Sequence, residues 1–350
     1  MTYQMGDLFA QEHRQKKLDV FAKVLKQLDQ LVNWAELARE INVVTKREAA
    51  RPRGGRPPYP TQVLIKIIVL QQLYGNLSDE ETEYALLDRR SWQQFIERTD
   101  ARDLPDARTI WHFKNQLAQA GGAEHIFAAV QAQLTRSGYQ AKGGQMIDAT
   151  IVPSPKMHFD REEKEALKQD QQPEHWSEKQ AAHKDTDAHW TQKHGKHFFG
   201  YKAHANVDQE HKLIRVLAIT PANTSDMNQL ETVLDHSPER NARGKTVFAD
   251  RGYDSQKNRA MLKSKALVDG IMRNDDRQRY DQSAIRKRNH RLSKIRSRVE
   301  HVFGAWEKVI GKKVRCIGLL RAATQITLQA VVYNLRRWVS LAGKNPSVVR

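Results

Sequence analysis

The sequence predicts an α/β protein in which an all-helical N-terminal domain precedes a mixed sheet of about five strands with flanking helices. Apolar residues recur at three- and four-residue spacing through about the first 130 residues, a pattern typical of helices. After Gly138, short apolar runs and one alternating segment indicate strands. The 350 residues are enough for two domains with separate cores, and we expect these at 1–137 and 138–345.

Six helices are expected in the N-terminal domain. The segment 61–74 is largely apolar, which predicts a buried helix. Ser78 precedes Glu81 by three residues, the spacing of a capping box at the start of a helix. The basic sequence RPRGGRPPYP at 51–60 contains two Gly and four Pro, so it predicts a loop or linker. The expected helices cover 16–42, 61–74, 91–96, 106–118 and 123–134, with another that begins at Ser78.

The second domain is expected to contain the sheet. Its alternating segment, 199–208, predicts a half-buried strand whose polar face carries Lys202 and His204. An insertion at about 156–197 is rich in Glu, Gln, Lys and His, so we expect it to be mobile or to become ordered on a partner. The expected strands are 145–152, 199–208, 213–219, 246–249 and 266–272, with helices at 226–234, 291–310 and 323–341.

Composition narrows the class of protein. Hydrophobic residues make up 39% and charged residues 28%, which indicates a globular rather than a disordered chain. The single cysteine, Cys316, excludes an intramolecular disulfide framework and a cysteine-based zinc site. No secretory signal is evident, and the most apolar run, 63–70, is too short to cross a bilayer and is interrupted by Lys66. We expect a cytoplasmic protein with an anionic partner and no membrane association.

Positive charge is concentrated in the C-terminal part of the chain. Residues 271–350 contain 19 Lys or Arg and 5 Asp or Glu, so most of the formal net charge of +17 lies there. Such a cluster suits a nucleic-acid backbone, where release of counterions drives binding; a solvated helix face is the alternative. The cations that occur here without an intervening acid are Arg286, Lys287, Arg288, Arg291, Lys294, Arg296 and Arg298.

Three carboxylates have local contexts that indicate metal chemistry. Asp148 lies inside the apolar strand MIDATIV, and Asp250 ends the strand of VFADRGYDS. Glu300 is the one acid within the basic helix KIRSRVEHVFG. Carboxylate clusters bind the hard cations Mg²⁺ and Mn²⁺, and two such ions can promote an in-line phosphoryl displacement. Each acid taken singly has an alternative interpretation as a strand-end or salt-bridged residue. Lys202 and His204 would meet a phosphate if their strand neighbours the first, or otherwise face solvent.

The same segments carry a family resemblance over nearly the whole chain. The chain resembles the DDE transposases of the bacterial insertion sequence five family, which have a ribonuclease-H-like catalytic core. Order and spacing of the motifs make the resemblance specific. The matching segments are GRPPYPTQVLIKIIVLQQLYGNLSDEETEYALLDRRSWQQFI, DLPDARTIWHFKNQL, MIDATIVPSPK, DTDAHWTQKHGKHFFGYKAHANVD, TPANTSDMNQLE, VFADRGYDS and RSRVEHVFG.

By this resemblance, Asp148, Asp250 and Glu300 are the metal-binding catalytic triad, separated by 102 and 50 residues. The family signature around the glutamate is Tyr, two residues, Arg, three residues, Glu, six residues, Lys. Arg296 fits the Arg position, one helical turn before Glu300 and on the same face, and is expected to contact phosphate. Two positions depart from the signature: Ser293 stands at the Tyr position, and Glu307 stands at the Lys position with Lys308 one residue later.

The resemblance implies a transposase that depends on two Mg²⁺ ions, for which Mn²⁺ can substitute. Its partners would be the terminal inverted repeats of its own element and the target DNA, with a homodimer in the synaptic complex. The helical domain would bind DNA ends or dimerise, in a bacterial cytoplasm at the nucleoid. Two alternatives stay open: a nuclease of the same core that cuts without joining, and a DNA-binding regulator without catalysis.

Overall fold

The structure is a computed structural model of the chain. It divides into two compact units, Met1–Gly138 with Leu335–Arg350, and Tyr139–Asn334. The residues that the structure describes are 12–14, 16–17, 23–47, 57–141, 143–168, 171, 173, 175–193, 195–237, 244–274, 282–311 and 313–344.

The first unit is helical over its described residues, as the spacing of apolar residues predicts. The helix expected over 16–42 is interrupted at residues 32–33, where Asn33 accepts a hydrogen bond from the Glu36 amide and caps the next helix. Residues 18–22 and 48–56 lie outside the described residues, so the expected loop is described only at its end. The helices are α1 (Lys23–Leu31), α2 (Trp34–Thr45), α3 (Thr61–Leu73), α4 (Asp79–Asp88), α5 (Arg90–Phe95), α6 (Ala107–Gln119) and α7 (Gly122–Arg136).

Two local predictions in this unit are confirmed. The Glu81 amide donates to Ser78 Oγ at 3.0 Å, and the Ser78 amide donates to Glu81 Oε2 at 2.7 Å, so the capping box starts α4. Helix α3 is buried on all sides, including Lys66. A buried ammonium must be paired, and Lys66 Nζ lies 2.7 Å from Asp29 and 2.9 Å from Glu97.

The second unit is built on a six-stranded mixed sheet. Strand β1 is antiparallel to β3 and parallel to β5; β4 pairs with the other side of β3, and β6 pairs with β5. This order is that of a ribonuclease-H-like core, and the five expected strands are all present. The strands are β1 (Gln145–Pro153), β2 (His189–Lys193), β3 (Lys196–Asp208), β4 (Ile214–Pro221), β5 (Thr246–Ala249) and β6 (Val268–Ile271).

The insertion is more ordered than its composition suggests. Its described residues form α8 (Arg161–Lys168), α9 (Glu178–Ala182) and β2, which makes a hairpin with the start of β3. The ring centroids of the buried residues Phe159 and Trp176 are 6.2 Å apart, and Lys184 Nζ lies over both rings. Aromatic rings and paired polar groups supply the burial that aliphatic residues do not. Mobility of the insertion, or its ordering on a partner, stays a prediction.

Strand β3 was expected to be half-buried, and it is covered on both faces. His204, Asn206 and Asp208 on its polar side are fully buried. Their polar groups have partners remote in sequence: Asn206 donates to the Val233 carbonyl at 2.8 Å, and Asp208 pairs with Arg215 at 3.1 Å. Such pairing lets a polar face enter the interior.

The helix expected at 226–234 is absent, and a 3₁₀ turn at Asp226–Gln229 stands in its place. Leu230, Val233 and Leu234 are buried in the core that includes Ile147 of β1. The Val233 carbonyl accepts its hydrogen bond from Asn206, which ties this segment to the sheet. Packing on the sheet therefore overrides local helix propensity here.

Three helices complete the unit: α10 (Gln256–Ser264), α11 (Gln282–Ile310) and α12 (Leu319–Ala342), whose residues from Leu335 belong to the first unit. Helix α11 begins nine residues before the predicted start and packs against β1 and β5. Over the described residues, no helix combines the length and the apolar character that crossing a membrane requires.

Replacing Gly200 by alanine is expected to destabilise the second unit. Gly200 in β3 has φ +149°, and a Cβ there would lie 2.4 Å from the Val152 carbonyl oxygen and 2.7 Å from the Ser154 amide. We expect Gly200→Ala to lower the free energy of unfolding by about 3 kcal/mol, measured by urea denaturation. Gly304→Ala on α11 is the control: its Cβ would meet open space, so a gain of about 1 kcal/mol is expected. Equal stability of the two variants would contradict this account.

Candidate active site

Asp148 places a carboxylate in the interior of the sheet. It lies on β1 opposite Ala205 of β3 and is buried. The Ala149 amide donates to its Oδ1 at 2.9 Å, and Arg296 Nη1 donates to its Oδ2 at 2.9 Å. Burial raises the pKa of Asp148 to about 6; the Arg296 charge opposes this shift and the Asp250 charge adds to it.

Asp250 follows the last residue of the neighbouring parallel strand. In the β1–β5 ladder Gln145 faces Val247 and Met146 faces Phe248, so the same register continued by two residues sets Asp250 beside Asp148. Asp250 caps the 3₁₀ turn Arg251–Tyr253, where Gly252 donates its amide hydrogen to Asp250 Oδ1 at 2.9 Å. Asp148 thus lies within β1 and Asp250 just after β5, and the two acids are neighbours across this pair of parallel strands.

Glu300 reaches this edge from helix α11 through Arg296. Arg296 Nη2 donates to Glu300 Oε1 at 2.8 Å, which confirms that the two residues share one helix face. The same guanidinium binds Asp148 through Nη1. One arginine thus links an acid of the sheet to an acid of the helix.

Among the described residues, one group of three or more potential metal ligands has all of its ligand atoms within 4.8 Å of one another: Asp160, Glu163 and His175. Glu163 Oε1 already accepts a hydrogen bond from Trp176 Nε1 at 2.6 Å and lies 3.4 Å from Lys184 Nζ. This group therefore serves the packing of the insertion. Asp148, Asp250 and Glu300 are spaced more widely, with the Arg296 guanidinium between two of them.

The acids at this edge still fit divalent cations. All of the donors are carboxylate oxygens, the hard ligands that Mg²⁺ and Mn²⁺ prefer. Asp148 is buried beside a second negative charge, which requires a nearby positive group. Arg296 meets this requirement here with two hydrogen bonds of 2.9 and 2.8 Å.

Two residues at this edge were not expected from the sequence. Tyr253 is fully buried, and burial with the charges of Asp226, Asp148 and Asp250 raises its pKa well above the usual value. Asp226 starts the turn after β4, and its Oδ1 lies 2.9 Å from Lys202 Nζ and 3.8 Å from His204 Nδ1. The motif TPANTSDMNQLE contains Asp226. Because this segment was predicted to be helical, the residues that lie next to Asp226 in space were not inferred.

The two β3 residues expected to meet DNA are held by protein groups. Lys202 Nζ donates to the Thr224 carbonyl at 2.7 Å and pairs with Asp226. His204 is fully buried, and its Nε2 lies 3.0 Å from Thr220 Oγ1. Burial lowers the pKa of His204 to about 4, despite the opposing Asp226 charge. His204 is thus enclosed by protein groups in this structure, and its contact with DNA stays a prediction.

Most of the basic residues expected on α11 are exposed along the helix. Arg288 differs, because its guanidinium donates to the carbonyls of Ile271 at 2.7 Å and Asp269 at 2.9 Å, which ties α11 to β6. Ser293 Oγ donates to the His290 carbonyl, and Glu307 is exposed. The exposed cations are Arg286, Lys287, Arg291, Lys294, Arg298 and Lys308.

Comparison with known proteins gives two family matches. Residues 140–335, more than half of the chain, match the family described as the transposase DDE domain, and residues 11–116 match a transposase domain (DUF772). Among solved structures, a piggyBac transposase in a synaptic complex with hairpin DNA, determined by cryo-EM, is similar to this chain. That similarity covers 93% of this chain and 76% of the other, at 10% identity and a TM-score of 0.45.

The free energy of unfolding, measured without metal, should depend on pH through the buried Asp148 carboxyl. Its folded-state pKa of about 6 exceeds the ordinary 3.8, so the folded state holds the proton more tightly. This contribution is complete below about pH 4 and is lost as the pH rises through 6. The free energy of unfolding of Asp148→Asn, taken relative to that of wild type, should therefore increase by about 2–3 kcal/mol between pH 4 and pH 7. Chemical denaturation in EDTA measures it, and a difference that stays flat over this range would contradict the prediction.

Proposed function

This chain belongs to the DDE transposase family, and we propose that it cleaves and joins DNA at the terminal inverted repeats of its own insertion sequence, of the insertion sequence five group. As a DNA transposase it acts on phosphodiester bonds. The proposed nucleophile is water for strand cleavage and a freed 3′ hydroxyl for strand transfer. Both attack phosphorus in line, so no covalent bond between protein and DNA is required.

The observation that carries the proposal is the pairing of one guanidinium with Asp148 and Glu300, beside Asp250 at the strand end. These acids are separated by 102 and 50 residues in the chain. A cationic partner shared by acids so far apart in the chain favours one common site over three independent salt bridges. We call this site, formed by Asp148, Asp250 and Glu300, the carboxylate cage. A buried carboxylate with a raised pKa, such as Asp148, that lies close to other acids is typical of catalytic sites.

Enzymes of this family depend on metal ions. We propose that Asp148, Asp250 and Glu300 hold two Mg²⁺ ions, with Mn²⁺ able to replace them. When bound, the cations supply Lewis-acid stabilisation of the reacting phosphate and a lowered pKa for the attacking oxygen. The protein contributes acids on rigid elements, since β1, β5 and α11 are packed together.

Arg296 has two roles in this proposal. Its guanidinium pairs with Asp148 and Glu300. If those carboxylates held cations, the guanidinium would be available to the DNA, where its fork of N–H groups matches a phosphate. Arg296 would then hold the reacting phosphate one helical turn from Glu300.

The exposed cations of α11 are proposed to follow the DNA backbone. Arg286, Lys287, Arg291, Lys294 and Arg298 have no acid among them, and counterion release would dominate their contribution. Lys308 is a weaker candidate, because Glu307 precedes it. The helical first unit is proposed to recognise the ends or to form the homodimer that synapsis of two ends requires. The protein would work at the bacterial nucleoid, in the cytoplasm.

A second candidate is a DNA-binding regulator without catalysis. It is favoured by Ser293 and Glu307, which stand where the family signature has Tyr and Lys. A nuclease that cuts without joining is separated from a transposase by supplying both donor ends and target DNA. Joined products require the transposase.

Replacing Asp148 by asparagine is expected to abolish strand cleavage and to leave end binding intact. The change keeps the shape of the side chain but removes the charge needed to hold a cation. Cleavage of a labelled terminal repeat with Mg²⁺ and a gel-shift assay on the same DNA measure the two activities. Asp254→Asn is the control, since Asp254 pairs with Arg259 at 2.7 Å. Cleavage that persists in Asp148→Asn would remove this residue from the mechanism.

Neutralising two exposed cations of α11 should weaken DNA binding in a salt-dependent way. If Lys294 and Arg298 each contact a phosphate, Lys294→Gln with Arg298→Gln should reduce the slope of log K against log salt by about 2. Titration by fluorescence anisotropy at several salt concentrations measures this slope. The matched control neutralises two exposed lysines of α10, Lys257 and Lys263, and should leave the slope unchanged. Equal slopes in the two double variants would exclude α11 as the DNA track.

A further inference from the structure

Asp226 lies beside the catalytic acids although it belongs to a different segment. A Cβ built on Gly252 would stand 3.0 Å from Asp250 Oδ1 and 3.6 Å from Asp226 Oδ2. The two carboxylates therefore flank the same glycine, whose lack of a side chain leaves room between them. Their charges, with that of Asp148, also reach the Tyr253 hydroxyl.

Buried polar atoms around Asp226 lack hydrogen-bond partners among the described residues. They are the Tyr253 hydroxyl, His204 Nδ1 and Asp226 Oδ1 itself. The side chains of Tyr253 and His204 are fully buried, and His204 Nδ1 lies 3.8 Å from Asp226 Oδ1. Native proteins rarely leave such atoms unpaired, so their concentration here points to a ligand that brings its own hydrogen-bonding groups, as a hydrated cation does.

Acids at this edge are paired with cationic side chains. Arg296 binds Asp148 and Glu300, while Lys202 Nζ lies 2.9 Å from Asp226 Oδ1. The Lys202–Asp226 contact is an ion pair without hydrogen-bond geometry, and the same ammonium donates a hydrogen bond to the Thr224 carbonyl. A compact ammonium against a carboxylate resembles the contact that a small cation would make.

We propose that Asp226 is a fourth carboxylate of the metal centre, which binds one of the two divalent cations together with Asp250, and that Lys202 occupies its place until the cation arrives. This inference rests on the proposed function, because it takes the cage of Asp148, Asp250 and Glu300 as given. Two ions spread their ligands over a wider edge than one ion does, which accommodates acids that are not all within 4.8 Å of each other.

The proposal gives Lys202 a second position. With a cation held by Asp226, the Lys202 ammonium would lose its carboxylate partner and would be available to the phosphate of bound DNA. Metal binding and DNA binding would thereby assist each other, because the cation would take the place of the ammonium on Asp226 while the phosphate would give the ammonium a new partner.

The experiment is a titration of the full-length, metal-free protein with Mn²⁺, followed by electron paramagnetic resonance of free Mn²⁺ without DNA. We expect Asp226→Asn to weaken at least one Mn²⁺ site by 10- to 100-fold, of the order seen when partners in a metal site are removed. We expect Lys202→Met to bind Mn²⁺ more tightly than wild type, because it frees Asp226. Asp254→Asn should bind as wild type does, and circular dichroism checks that each variant is folded.

The outcomes separate this inference from the proposed function. Wild-type Mn²⁺ affinity in Asp226→Asn, with a loss in Asp250→Asn, overturns the fourth ligand and leaves the triad. Equal weakening in Asp226→Asn and Lys202→Met also overturns it, because Asp226 would then act only by positioning Lys202. Wild-type affinity in both Asp226→Asn and Asp250→Asn would refute the proposed metal centre itself.

Discussion

The main physical constraint on the second unit is the buried carboxylate of Asp148 in the central strand of its sheet. A buried negative charge costs several kcal/mol unless a positive group and hydrogen bonds compensate it. Here compensation comes from the Ala149 amide and from Arg296, which is brought by α11 across 148 residues of chain. The packing of α11 on β1 and β5 and the electrostatics of the site therefore support each other. A charge in this place constrains the fold, and the fold in turn keeps the charge available for chemistry.

The parallel pairing of β1 with β5 sets the second acid. The ladder joins residues 102 positions apart, which is the separation of Asp148 and Asp250. This register sets Asp250, which follows the end of β5, beside Asp148 within β1, so the parallel pairing itself brings the two acids together. Gly252 then permits the tight turn in which its own amide holds Asp250. The register of the sheet and the turn at Gly252 together determine where the acids lie. The three separate sequence motifs only imply that geometry.

Features with a local pattern could be predicted from the sequence, and features made by remote partners could not. Helix α3 and the strands β1 and β5 are rich in apolar residues, with Lys66 in α3 and Asp148 in β1 as the charged exceptions. Strand β2 reads HWTQK and is exposed or half-exposed along its length, so it has no burial pattern and is held by pairing with β3. His204 was assigned to an open face because Thr220 and Asp226, which enclose it, lie 16 and 22 residues away in sequence. The triad is a prediction from motif order, whereas the approach of Asp226 to Asp250 depends on how the strands are ordered in space.

The choice of arginine at position 296 follows from the shape of its side chain. A lysine ammonium is a point charge, whereas a guanidinium presents separate N–H groups in a rigid plane. Nη1 serves Asp148 while Nη2 serves Glu300, at 2.9 and 2.8 Å, so one side chain satisfies two acids on different elements. The same fork matches two oxygens of a phosphate. The geometry with which Arg296 bridges Asp148 and Glu300 is therefore compatible with the proposed contact to phosphate, which a lysine at this position could not make with two parallel hydrogen bonds.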